Sequence, residues 1–124
     1  MKLNMKLSII DDYIQIKLIK NFCNNDFSLF CNNICIDRIN KTKEKCITLL
    51  NLYEQIINTL KLDDTSFLVL KQQLEINNSL YLKEQTSSFV NLSKLCDSFE
   101  TTIDEILKNI KDKLTKLQIK KLIV

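Results

Sequence analysis

From Cys46 onward the apolar positions run Cys46, Leu50, Tyr53, Ile57 and Leu60, spaced 4, 3, 4, 3. That spacing predicts a helix with one apolar stripe. Leu49, Leu52 and Ile56 widen the stripe, which fits a helix covered on more than one side, as in a bundle. Four short polar residues, Asp63 to Ser66, interrupt the pattern, and any of them can cap a new helix. A helix beginning near Ser66 would carry Phe67, Leu70, Leu74 and Tyr81 on one side, with Val69 and Leu80 beside them. Asn77 would fill an inward slot between Leu74 and Tyr81. Beyond the weaker stretch Glu84 to Ser88 the longest seam of the chain follows: Phe89, Leu92, Cys96, Phe99, Ile103, Ile106, Ile110, Leu114 and Leu117. Asp97 with Glu100, and Thr102 with Glu105, fit capping boxes, and either pair could mark a helix start. Read as one helix, residues 66–122 make a rod of roughly 85 Å, whose apolar side needs partner helices. A break near Thr86 instead permits a compact three- or four-helix bundle.

The first forty residues leave two readings. Leu3, Leu7, Ile10 and Ile14 fit a helix, whereas Tyr13 to Leu18 alternates like a strand. Asn24, Asn25 and Asp26 signal a turn, after which Phe27, Phe30, Cys31 and Ile34 return to helical spacing. Two helices are predicted here, with a short N-terminal hairpin as the alternative. The whole chain, residues 1–124, therefore reads as one all-α domain. It is an antiparallel helical hairpin or bundle, with a helix over 41–62 and a long, coiled-coil-like C-terminal helix, continuous or broken, over 66–122.

Composition changes this picture in two ways. Isoleucine, leucine, lysine and asparagine supply 67 of 124 positions, while glycine, alanine, proline and histidine are absent. The codons of this set point to an AT-rich genome, so the absences overstate helicity. They still act physically. Without glycine, a backbone position with φ above zero is expected to fall to Asn or Asp. Without histidine there is no Ser-His or Cys-His nucleophile pair and no mixed Cys/His zinc site. Without glycine there is no phosphate-cradling loop. The chain is therefore expected not to be an enzyme and to need no cofactor or metal.

Five cysteines, Cys23, Cys31, Cys35, Cys46 and Cys96, contain no Cys-x-x-Cys spacing. Cys31 and Cys35 share a helix face, but no second such pair follows. Cys46 and Cys96 read as small apolar seam residues. The start MKLNMKLSIIDDY lacks a signal-like apolar core because Asp11 and Asp12 interrupt it. No apolar run reaches transmembrane length. A cytoplasmic, reducing setting with free thiols is the expectation. The net charge is +3. Lys108, Lys111, Lys113, Lys116, Lys120 and Lys121 crowd the C-terminal segment, where the helix dipole favours cations. They leave room for peripheral contact with an anionic membrane, but no aromatic residue is interleaved to stack on bases, which disfavours nucleic acid.

Residues 59–94, TLKLDDTSFLVLKQQLEINNSLYLKEQTSSFVNLSK, resemble the second subunit of the biogenesis of lysosome-related organelles complex. The likeness rests on Leu60, the turn Asp63 to Ser66, Phe67, Leu70, Tyr81, Leu82 and the stretch Val90 to Lys94. The resemblance implies a non-catalytic subunit of a heteromeric rod of helices, acting in endosomal or lysosomal positioning. The residues alone predict a scaffold or adaptor that binds partner helices through Phe89, Leu92, Phe99, Ile103, Ile106, Ile110 and Leu117. On that reading Ile106→Asp should abolish assembly, by placing an unpaired charge in a buried seam. The alternative is a compact monomeric bundle, from a virus or parasite, that binds a single protein partner.

Overall fold

The computed structural model describes residues 3–27, 32–62, 65–87 and 92–116. Four helices account for nearly all of them: α1 (Leu3–Cys23), α2 (Asn33–Leu60), α3 (Thr65–Ser87) and α4 (Leu92–Lys116). No strand occurs among the described residues, so the all-α bundle is as the pattern predicts.

α1 is the central helix. It packs chiefly against α2, and also against α3 and α4. Ile14 and Ile16 are both fully buried, although two residues on a helix point to nearly opposite sides. This explains the strand-like alternation of Tyr13 to Leu18: a helix covered on both sides also shows apolar residues two apart. Ile9, Ile16, Ile19 and Cys23 join the main core with α2 and α4. On the other side Lys17 meets Glu75 of α3 at 3.8 Å. Lys71 of α3 lies 5.1 Å above the Tyr13 ring.

α2 starts at Asn33 because the Asn32 side chain accepts the Cys35 backbone N–H at 2.9 Å. Phe27 lies before this helix and packs its ring on Phe22, so the helix begins later than the Phe27 spacing predicts. Cys31 and residues 28–30 lie outside the described residues. The polar run 40–45 continues the helix, since Ile39 and Thr42 keep the buried face in step with Cys46. The helix predicted over 41–62 is thus the second half of a 28-residue one.

α2 ends in a Schellman motif. The Leu62 N–H bonds the Ile57 carbonyl at 3.0 Å and the Lys61 N–H bonds the Asn58 carbonyl at 3.3 Å. Lys61 holds φ 54° and ψ 48°. The expectation that such a position would be Asn or Asp is corrected: it is a lysine. Leu62 then turns inward and is buried.

Side-chain pairs fix the directions. Asp12 meets Tyr53 while Lys20 and Cys23 lie near Cys46, so α1 and α2 are antiparallel. Cys35, Arg38 and Lys45 meet Cys96, Glu100 and Asp104 in that order, so α2 and α4 are parallel. Phe22 meets Phe99 and Asp12 meets Lys113, so α4 runs against α1. The chain goes up, down, up, down.

Residues 66–122 do not form one rod. Asn78 of α3 and Ser98 of α4 line the same cavity, whereas along a single helix they would stand roughly 30 Å apart. The capping pairs Asp97/Glu100 and Thr102/Glu105 do not start a helix either, since α4 begins at Leu92. Asp97 and Glu100 bind Arg38 instead, and the Thr102 hydroxyl donates to the Ser98 carbonyl.

Candidate functional site

The seam predicted to bind a partner points into this chain's own core. Phe99, Ile103, Ile106 and Ile110 are all buried, together with Leu95, Cys96 and Leu114. Their cover is α2 and α1. Leu92 is half-buried at the start of α4. Phe89 and Leu117 lie outside the described residues.

Among the described residues, four of the seven exposed large apolar side chains, Leu68, Val69, Ile76 and Leu80, are on α3, and Ile34, Ile47 and Leu107 lie elsewhere. α3 lies against α1 alone as its principal neighbour. Leu70 and Leu74 are half-buried on the α1 side. Val69, Ile76 and Leu80 are 68%, 55% and 56% exposed. At 100° per residue these three fall on one narrow stripe, about opposite Leu74 and Asn78. Val69 and Leu80 therefore do not sit beside the inward row, as the spacing predicts, but on the far side from it. The polar inward position is Asn78, not Asn77: Asn77 is exposed and accepts a bond from Gln73, whereas the Asn78 side-chain nitrogen is buried with no partner among the described residues. Gln72 and Ser79 flank Ile76 and Leu80 on this exposed face.

Two polar clusters hold the other three helices together. Asp12 of α1 accepts the Tyr53 hydroxyl at 2.7 Å and pairs with Lys113 of α4. Asp12 and Lys113 keep only 13% and 19% of their side-chain surface exposed. Burial first, then the charge and hydrogen bond of Asp12, push the Tyr53 hydroxyl above its ordinary value. At the other end Arg38 of α2 forks onto Glu100 at 2.8 and 3.0 Å, and also binds Asp97. The Glu100 bond leads in holding the guanidinium protonated. Lysine cannot make this paired, planar contact. The one arginine among 17 lysines is the signal that could have located it.

Beyond the Arg38 cluster, toward the start of α2 and α4, lies a pair of thiols. Cys35 and Cys96 face each other across α2 and α4 with their sulfurs 4.0 Å apart. Cys35 is half-buried and Cys96 buried. Burial, then the neighbouring Cys35, push the Cys96 thiol up to about 12, against a pull downward from Arg38. Burial likewise pushes Cys23 up to about 11 and Cys46 to about 12. Cys46 fills the apolar position that its spacing predicts; Cys96 does so too, with Cys35 as an immediate neighbour that spacing could not show.

The C-terminal lysines are partly engaged within the chain. Lys113 pairs with Asp12, and Lys116 with Asp112 at 3.1 Å. Lys120 and Lys121 lie outside the described residues. Among the described residues no helix is long and apolar enough to cross a membrane, and no group of three or more Cys, Asp or Glu side chains is placed to hold a metal. Compared with known proteins, the chain matches no family model, no curated protein and no solved structure.

Proposed function

We propose that this chain is a non-catalytic protein-interaction module, a scaffold or adaptor bundle that docks a partner helix on the outer face of α3. The observation that carries this reading is the exposed row Val69, Ile76 and Leu80 on a helix whose opposite side already packs against α1. A helix that is apolar on two sides is stable in water when both are covered. The i, i+7, i+11 spacing keeps the three side chains on one line along the helix, where a partner helix can cover them together. The reading keeps the adaptor role predicted for the chain and moves its partner face from α4 to α3. A place in a heteromeric complex of endosomal or lysosomal positioning, which the resemblance of residues 59–94 implies, and a cytoplasmic setting, which the free thiols suggest, are narrower forms of the same proposal.

The test is a tagged pull-down from the native cell, with stoichiometry read by mass spectrometry. It compares the natural chain with the triple variant Val69→Glu, Ile76→Glu, Leu80→Glu. The expected result is helical partners near one-to-one with the natural chain and none with the variant. The variant should keep its helicity, since exposed substitutions rarely cost more than about 0.5 kcal/mol each. Recovery of a monomer alone, or partners indifferent to the variant, would overturn the proposal.

A further inference from the structure

We propose that Cys35 and Cys96 are a reversible redox site, closing to an intramolecular disulfide that staples α2 to α4. The two sulfurs already stand 4.0 Å apart. Closing to a bond length of about 2 Å needs a movement of about 2 Å. The pair is held in place from one side: one turn along α2, Arg38 forks onto Glu100 and binds Asp97, which flanks Cys96 in sequence. Parallel packing of α2 and α4 then fixes which residues meet.

Exposure divides the roles. Cys35 is half-buried and open to solvent on one side, whereas Cys96 is only 5% exposed. The co-reactant is a low-molecular-weight disulfide of the glutathione class. The Cys35 sulfur gives up its proton and attacks one sulfur of that disulfide. The disulfide bond breaks, a mixed disulfide forms on Cys35, and the departing thiolate takes up the proton. The Cys96 sulfur then gives up its proton and attacks the Cys35 sulfur. The mixed disulfide breaks, and the second thiolate leaves with that proton. Two protein thiols are oxidised and one external disulfide is reduced to two thiols. Excess external thiol reverses both steps. Cys23 and Cys46 stay out of this exchange because both are buried.

The test uses the full chain equilibrated in glutathione buffers, from fully reduced to fully oxidised. Unreacted thiols are then alkylated and the chain is digested and mapped by mass spectrometry. The expected oxidised form is a chain lighter by two hydrogens, with residues 35 and 96 linked. Its melting temperature should rise by about 10 °C and return on reduction, because a loop of some sixty residues is closed. Cys96→Ala should stop at a mixed disulfide on Cys35, and Cys35→Ser should remain unmodified at Cys96. Thiols 35 and 96 left unlinked in fully oxidised glutathione, or a link from Cys35 to another cysteine, would overturn the proposal. The map of the natural chain decides this even where a variant fails to fold.

Discussion

Lys61 sits in the left-handed region because the Schellman turn after α2 demands it there. A side chain with a Cβ carries a cost of about 1 kcal/mol in that conformation, which glycine avoids. Lys61→Gly is therefore expected to stabilise the chain by about 1 kcal/mol, read as a higher urea midpoint with an unchanged slope. An unchanged or lower midpoint would mean that the lysine is not strained. Asp12 makes the opposite case. It satisfies Tyr53 and Lys113 at once in a nearly enclosed position. Asp12→Asn should cost about 2–3 kcal/mol, since it leaves Lys113 without a countercharge. In that background Lys113→Met should cost less than it does alone, and a double-mutant cycle checks this. Neither residue was legible from spacing. In sequence Asp12 only interrupts an apolar run, and Lys113 is one of six lysines in a basic segment. Their partnership spans 101 positions and exists only once three helices are placed.

At the level of elements, the apolar seams were legible over the second half of α2 and along α4 from Leu92 to Leu114, because a continuous 3-4 spacing survives any bias of the genome. What lies against each seam was not. A seam states that it will be covered and says nothing of whether the cover is the same chain. Here Ile106 faces the chain's own core, so Ile106→Asp should unfold the protein rather than only release a partner. The expected loss exceeds about 3 kcal/mol and is read by circular dichroism as lost helicity at 25 °C. A folded Ile106→Asp monomer would instead restore the partner seam. α3 was misread for the converse reason. Its apolar residues lie on two opposite faces, so a one-sided template placed Val69 and Leu80 with the inward row.

For the whole molecule, the buried proton-bearing groups share one sign. Cys23, Cys46 and Cys96 rise from an ordinary 9.0 to about 11, 12 and 12, and Tyr53 rises as well. Above about pH 9 the unfolded chain releases these protons while the folded one keeps them. Stability from this source is complete below pH 9 and is lost as the pH climbs through 11 to 12. The melting temperature should hold level from pH 6 to 8 and fall above about 9. The fall should be shallower in a Cys23→Ala, Cys46→Ala variant, and an equal fall would assign it to other groups. The central place of α1 has a further consequence, in time rather than in energy. α1 and α2 can pair as soon as both leave the ribosome, but α4, which covers Phe22 and pairs with Asp12, is made last. At about 5–20 residues per second, the stretch between the ends of α2 and α4 takes roughly 3–11 s to synthesise. Through that interval the newborn hairpin shows its bare apolar side to every chaperone and neighbouring chain, so a defect in α4 docking would be felt first as yield in the cell.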